Sequence, residues 1–108
     1  MNHKVFLGIG SNINKKENIR SCIKIIRKVF EDLKVSPIYE TQSMGFKGPN
    51  FYNCACSFNT IKEIYSLKNY LNKIELGHGR NLNETKFSSR TLDIDILYFD
   101  DLVLSNDK

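Results

Sequence analysis

The clearest indication of the fold of this 108-residue chain is a segment near its start, Val5-Phe6-Leu7-Gly8-Ile9-Gly10-Ser11-Asn12. The first five residues form a continuous apolar run, which is typical of a strand buried at the centre of a sheet. The last three are residue types that favour turns, so the strand should end there. We therefore predict a buried central strand, around which the other elements are arranged.

Two amphipathic helices are predicted after this strand. Asn14 with Glu17, and Thr60 with Glu63, have the spacing of capping boxes, which mark helix starts. Apolar residues then recur three and four positions apart, the period of one helix face. The predicted core stripes are Ile19, Cys22, Ile23, Ile26, Phe30 and Leu33 in the first helix, and Ile64, Leu67, Leu71 and Ile74 in the second.

Three further strands are predicted, at residues 34–39, 51–58 and 92–99. Pro37 places the first of them at an edge or a bulge because proline has no N–H to donate. The resulting order is strand, helix, strand, strand, helix, strand. It predicts an α+β, ferredoxin-like βαββαβ fold, an antiparallel sheet with two helices on one face. We expect one domain over residues 1–108, with the other face left for a ligand.

Composition narrows the class of protein. The chain is 41% hydrophobic and 26% charged, with a net charge of +4, as in ordinary globular proteins. No apolar run approaches the ~20 residues of a membrane span, and the start lacks the layout of a secretory signal. The three cysteines form no CxxC pattern, so Cys54 and Cys56 are interpreted as buried small hydrophobes in preference to a soft-metal pair. We expect a cytoplasmic protein with no membrane partner.

The basic residues do not suggest a nucleic-acid partner. They cluster in the first third of the chain, where they are interpreted as the solvated face of the first helix. A nucleic-acid binder would show a more concentrated basic stripe with interleaved aromatic residues. An RNA-binding ferredoxin-like module is the weakest of the alternatives.

The segment Arg90-Thr91-Leu92-Asp93-Ile94-Asp95-Ile96 is the strongest candidate for chemistry. Strand alternation places Asp93 and Asp95 on one face, about 6.5–7 Å apart along the strand. Paired carboxylates suit magnesium, although a merely solvated polar face explains the same pattern. The opposite face would pack on the helices through Leu92, Ile94, Ile96 and Tyr98.

Two arginines flank these aspartates in sequence. Arg80 follows the second helix and Arg90 precedes the last strand. Planar guanidinium groups contact phosphate in a bidentate manner, so a polyphosphate held by metal and arginines is one interpretation. A simple pairing of Arg90 with an aspartate is the other. Around the third strand, Thr41, Phe51 and Asn53 could hold a flat heterocycle or could be ordinary strand residues.

Taken in this order, the motifs resemble the 6-hydroxymethyl-7,8-dihydropterin pyrophosphokinases of folate biosynthesis. The matching segments are Gly10-Ser11-Asn12, Phe51-Tyr52-Asn53, Glu75 to Arg80, and Arg90 to Asp95. The resemblance implies a transferase that moves pyrophosphate from ATP to a reduced pterin. It also implies two Mg²⁺ ions bound with ATP.

The same resemblance implies roles for individual residues. Asp93 and Asp95 would hold the metal ions and, with Arg80 and Arg90, form the catalytic set. Thr41, Phe51 and Asn53 would bind the pterin. The nucleotide site would include Glu75, Arg80, Phe87, Arg90 and Ile96.

The sequence departs from the family pattern in three places. Leu82 stands where many members have a second arginine, and Ser88-Ser89 replaces a Gly-Pro pair. Relatives usually continue beyond the position of Lys108, so the chain is expected to be short at its C-terminus. A nucleotide- or pterin-binding homologue without catalysis is therefore the second interpretation.

Overall fold

A computed structural model gives the fold of the chain and describes residues 2–42, 48–79 and 92–103. These residues form an α+β structure of two helices and an antiparallel sheet. The helices are α1 (Lys15–Val29) and α2 (Ile64–Gly77). The strands are β1 (His3–Ser11), β2 (Lys34–Val35), β3 (Tyr39–Thr41), β4 (Phe51–Thr60), β5 (Asp93–Phe99) and β6 (Leu102–Val103).

The sheet has the strand order β2-β4-β1-β5-β6, and β3 also pairs with β4. The predicted central position of β1 is confirmed, because Ile9 lies opposite Cys54 of β4 on one side and Ile94 of β5 on the other. The predicted second strand is instead two short strands, β2 and β3, with Pro37 between them. At this break the Ser36 hydroxyl accepts a hydrogen bond from the N–H of Ala55 at 2.8 Å, which satisfies a β4 donor.

One hydrophobic core lies between the two helices and one face of the sheet. Val5, Leu7 and Ile9 of β1 are at most 2% exposed, and they share one buried cluster with both helices. Burying one such side chain contributes roughly 1.5–3 kcal/mol. The predicted core positions are confirmed, with Ile23 and Ile64 only partly buried: Ile19, Cys22, Ile26, Phe30, Leu33, Leu67, Leu71 and Ile74 are in the core. Because α1 ends at Val29, however, Phe30 and Leu33 lie after the helix that was predicted to contain them.

The predicted capping boxes were wrong. Asn14 does precede α1, but it has φ 44° and makes no side-chain cap hydrogen bond. Helix α2 begins after Glu63, which also makes no side-chain cap bond. Thr60 ends β4, and its hydroxyl accepts the N–H of Lys62 at 3.1 Å. Threonine side chains form such local turns as readily as caps, so spacing alone could not separate the two.

The last strand contains a bulge that reverses part of the predicted alternation. Leu7 pairs with Ile96 and Phe6 pairs with Tyr98, so Leu97 is an extra residue in β5. Consequently Phe99 faces the core, and Tyr98, which we expected to pack on the helices, is 44% exposed.

The structure confirms the interpretation of the cysteines as buried small hydrophobic residues. Cys22, Cys54 and Cys56 are all buried free thiols. Burial raises the pKa of Cys56 to about 12 and also raises the pKa of Cys22, where the two neighbouring thiols add to the effect. The thiols therefore stay neutral and pack as small apolar groups.

Among the residues that the structure describes, neither helix has the length and apolar character of a membrane span.

Candidate active site

The two aspartates predicted to bind metal lie on the face of the sheet opposite the helices. Asp93 is half-buried and Asp95 is exposed, whereas Ile94 and Ile96 are 8% and 7% exposed in the core. The carboxylate-bearing positions are two residues apart on an extended strand, about 6.5–7 Å along its axis. This placement meets the main condition for a metal site, because the helices do not cover the two side chains.

Two glycines of β1 lie between these aspartates and Asn53, which was predicted to bind a heterocycle. Gly10 is opposite Asp93 on β5 and opposite Asn53 on β4, and Gly8 is opposite Asp95. Neighbouring strands are about 4.7–4.9 Å apart, so the backbones at Asn53 and Asp93 are about 9.5 Å apart. Because glycine has no side chain, the Asn53 amide can lie against the β1 backbone in this row, on the same face as Asp93.

The amide of Asn53 is held in one orientation. Its Nδ2 donates a hydrogen bond to Thr41 Oγ1 at 2.8 Å. Its Oδ1 lies 3.0 Å from the position that a Cβ on Gly10 would occupy, and Phe51 Cδ1 lies 3.7 Å from the same position. Thr41, Phe51 and Asn53 are therefore brought together, as the sequence predicted. An oriented amide beside an aromatic ring can pair with the edge and cover the face of a flat heterocycle.

Two residues that sequence reasoning missed anchor the segment before β4 beside this site. Asn12, only 3% exposed, donates from Nδ2 to the carbonyl oxygen of Pro49 at 3.0 Å. Lys15 Nζ donates to the carbonyl oxygen of Asn50 at 3.1 Å and lies 4.4 Å from the Tyr52 ring centroid. No local pattern could reveal these contacts, since each joins residues far apart in the chain.

Glu75 and Ile96, both predicted at the nucleotide site, lie on the other side of the sheet plane. Glu75 is 3% exposed, and its Oε2 accepts a hydrogen bond from the N–H of Ile94 at 2.7 Å. The Ile96 side chain belongs to the core. A ligand on the open face, the face of the sheet that carries Asp93 and Asp95, could therefore meet Ile96 only through its backbone. Glu75 contacts β5 through its hydrogen bond with the N–H of Ile94.

The chemistry of the donors fits magnesium bound together with phosphate. Within residues 2–42, 48–79 and 92–103, no three His, Cys, Asp or Glu side chains could hold a metal ion together. Magnesium, however, commonly takes one or two carboxylates and completes its shell with water and substrate phosphates. Asp93 and Asp95 are suited to that arrangement. Arg80, Phe87 and Arg90 lie outside the described residues.

Comparison with known proteins identifies the family of the chain. The family model described as 7,8-dihydro-6-hydroxymethylpterin-pyrophosphokinase (HPPK) matches residues 6–107, which include every strand pairing of the site. The chain belongs to this family. The sequence resemblance to the hydroxymethylpterin pyrophosphokinases is thus confirmed.

Curated HPPK-family relatives match most of the chain. It is 35% identical to the 2-amino-4-hydroxy-6-hydroxymethyldihydropteridine pyrophosphokinase of Aquifex aeolicus, over 93% of the chain and 63% of that protein. The enzyme of the same name from Bacillus subtilis is 32% identical over 92% of the chain and 61% of its own length. The folic acid synthesis protein FOL1 of Dictyostelium discoideum is 32% identical over 98% of the chain, which spans 16% of that protein. The chain thus spans less than two thirds of each of these relatives.

Proposed function

We propose that the chain transfers a pyrophosphoryl group from ATP to the hydroxymethyl group of 6-hydroxymethyl-7,8-dihydropterin. The observation that carries the proposal is the row across three strands in which Gly10 separates Asn53 from Asp93. This row has a group that can bind a heterocycle and a group that can bind a metal–phosphate complex on the same face of the sheet. The family match supplies the class of reaction.

The pterin is assigned to the side of the row formed by β3 and β4. Asn53 pairs with the polar edge of the ring, and Thr41 holds the Asn53 amide in place through their 2.8 Å hydrogen bond. Phe51 covers one ring face. The hydroxymethyl group then points across Gly10 toward the aspartates, so the acceptor oxygen is positioned before the transfer takes place.

The triphosphate is assigned to the β5 side. Asp93 and Asp95 would hold two Mg²⁺ ions, which when bound neutralise the phosphate oxygens. Arg80 and Arg90 complete the charge neutralisation, and Phe87 borders the nucleotide. Ile96 would meet the nucleotide through its backbone, and Glu75 acts from the helix side of β5. The hydroxyl oxygen of the pterin bonds to the β-phosphorus while the bond from that phosphorus to the α,β-bridging oxygen breaks. AMP leaves and the hydroxyl proton is released.

We also infer the finer architecture and setting. The elements β1, α1, β2 with β3, β4, α2 and β5 correspond to a ferredoxin-like βαββαβ arrangement with a divided second strand. The strand order β2-β4-β1-β5 supports this inference, and β6 is an addition. Residues 1–108 would form a single domain in a cytoplasmic protein.

The test is an assay of AMP release from ATP by the purified chain. Release should require both magnesium and the hydroxymethyl-dihydropterin, and the pterin diphosphate should accumulate in equal amount. ATP without pterin is the blank, and hydroxymethyl-free dihydropterin is the matched control because it lacks the attacked oxygen.

Absence of AMP above the blank at every magnesium concentration would refute catalysis by this chain. Calorimetry with a non-hydrolysable ATP analogue then separates the remaining alternatives. Binding that depends on Asp93 and Asp95 without turnover would indicate a non-catalytic nucleotide-binding homologue. Absence of that binding as well would refute the metal–nucleotide site itself.

A further inference from the structure

Glu75 is a charged residue in a part of the molecule where charges are rare. It lies in the last turn of α2 and is 3% exposed, beside core residues such as Ile74. Carboxylates are seldom this deeply buried unless a specific partner compensates for the lost water. Here a partner is the main-chain N–H of Ile94, which donates to Glu75 Oε2 at 2.7 Å. A side chain of α2 is thus bonded to the backbone of β5.

This hydrogen bond is important because of the position of Ile94 in β5. Ile94 is the residue between Asp93 and Asp95, so Glu75 binds the backbone that joins the two proposed metal ligands. A donor that reaches α2 points away from β1, toward the outer edge of β5. In the part of the chain that the structure describes, β6 covers this edge only at Tyr98 and Phe99.

We propose that Glu75 is a positioning residue for the metal site. It fixes the backbone of β5 at Ile94 and thereby sets the separation and direction of the carboxylates of Asp93 and Asp95. An acceptor is needed because a strand edge without a partner can twist or shift, and both aspartates would move with it. This inference rests on the proposed function, since it assigns to Glu75 a task in that same site.

The role differs from simple attachment of α2 to the sheet. If Glu75 only attached the helix, its loss would affect both halves of the site, because α1, α2 and the sheet share one core. If Glu75 positions the aspartates, its loss should weaken magnesium-dependent nucleotide binding and leave the pterin group unaffected. Asn53, Thr41 and Phe51 lie on β3 and β4, and β1 separates β4 from β5 in the sheet.

The experiment compares Glu75→Leu and Glu75→Gln with the unmodified chain. Leucine has no acceptor, whereas glutamine keeps a carbonyl oxygen that can accept from the N–H of Ile94. Leu71→Val, in the same helix and 2% exposed, is the control for a small loss of core packing. Calorimetry measures the magnesium dependence of binding of a non-hydrolysable ATP analogue, and separately the affinity for the pterin.

We expect Glu75→Leu to weaken the apparent magnesium affinity by about 10- to 100-fold, the usual effect of losing a partner that orients a metal ligand. Glu75→Gln should restore most of the affinity, and Leu71→Val should leave it unchanged. Pterin affinity should be the same in all four proteins. Equal losses of magnesium and pterin affinity in Glu75→Leu, or no loss of either, would overturn the positioning role.

A second measurement does not depend on nucleotide or activity. Hydrogen exchange of the Ile94 amide, followed by NMR in each protein, should be slow in the unmodified chain and in Glu75→Gln. Exchange of this amide should be fast in Glu75→Leu. The increase in its rate should exceed the increase that the loss of global stability in this variant would cause. An unchanged rate would overturn the proposal even if Glu75→Leu folded poorly. If the unmodified chain itself shows no magnesium-dependent binding, the proposed function fails, whatever the Ile94 amide shows.

Discussion

Alternate residues of β1 have opposite surroundings on the two faces of the sheet. Val5, Leu7 and Ile9 pack against the helices and are at most 2% exposed, whereas the other face carries the 41% exposed Phe6 and two glycines, Gly8 and Gly10, against which Leu97 and the Asn53 amide lie. The first face stabilises the fold because it excludes water from large apolar groups. The second face is not covered by a helix, and its glycines let side chains of β4 and β5 lie close to the β1 backbone. Substitutions on the two faces should therefore change different properties.

The largest effect is expected at the carboxylates of the open face. Asp95→Asn should lower kcat/KM for AMP release by about 10³-fold, since a bound metal contributes several kcal/mol to transition-state stabilisation. The unfolding temperature should stay the same, because Asp95 is exposed and outside the core. Steady-state kinetics and calorimetric melting measure both quantities. Asp101→Asn, in the exposed turn after β5, is the control, and equal activities of the two variants would contradict the assignment.

The next largest effect is a difference in the free energy of unfolding between substitutions of two neighbouring β1 residues that face opposite sides of the sheet. Leu7→Ala should lower the free energy of unfolding by about 2–5 kcal/mol, because it removes a fully buried side chain and leaves a cavity. Phe6→Ala should cost less than about 1 kcal/mol, since Phe6 is 41% exposed and its main aromatic contact is the edge-on Tyr98 ring. Urea unfolding measures both values. Similar values would show that the open face also contributes to the core.

A smaller effect is expected at the glycines of the open face. A Cβ at position 10 would stand 3.0 Å from Asn53 Oδ1, so Gly10→Ala should displace the amide from Thr41. Loss of one neutral hydrogen bond corresponds to about 0.5–1.5 kcal/mol, or roughly 2- to 12-fold weaker pterin binding.

Gly8→Ala is the matched control for this change. The atoms nearest to its Cβ would be those of the Leu97 side chain, at 3.5 Å, an ordinary contact, so pterin affinity should stay close to that of the unmodified chain. Calorimetric titration with the pterin measures both variants. Equal weakening in the two would show that the pterin does not depend on the orientation of Asn53.

The smallest effect concerns acid stability at the end of the sheet away from the site. Asp32 accepts hydrogen bonds from Asn59 Nδ2 at 2.7 Å and from its N–H at 3.0 Å, and the side-chain bond is the main reason that its pKa falls below the ordinary 3.8. Folding therefore favours the ionised form. The resulting stabilisation is present above the ordinary pKa and is lost as pH falls through the lower pKa of the folded state.

Asp32→Asn should accordingly flatten the decline in stability on the acid side of pH 4. The free energy of unfolding, measured by urea titration at several acidic pH values, gives that slope. Glu31→Gln removes a neighbouring exposed carboxylate without breaking the Asn59 hydrogen bonds, so it should keep the slope of the unmodified chain. A slope that Asp32→Asn leaves unchanged would contradict this prediction.

Much of the fold was predictable because hydrophobic periodicity is a local property. The apolar run of β1 and the stripes of α1 and α2 each identified an element and its buried side. The face occupied by Asp93 and Asp95 followed from alternation in β5. Prediction failed where one residue changed the local geometry: the extra residue Leu97 turned Tyr98 outward, and Pro37 divided the second strand.

Strand and helix periods depend only on neighbouring residues, so the order of amino acids already shows which side chains share a face. It could not determine that Asn53 and Asp93 lie opposite the same glycine, or that Glu75 reaches the N–H between the two aspartates. Those facts depend on strand register and helix packing, which many distant contacts set together. The way in which the separate motifs come together in one site therefore follows from the packing of the folded chain.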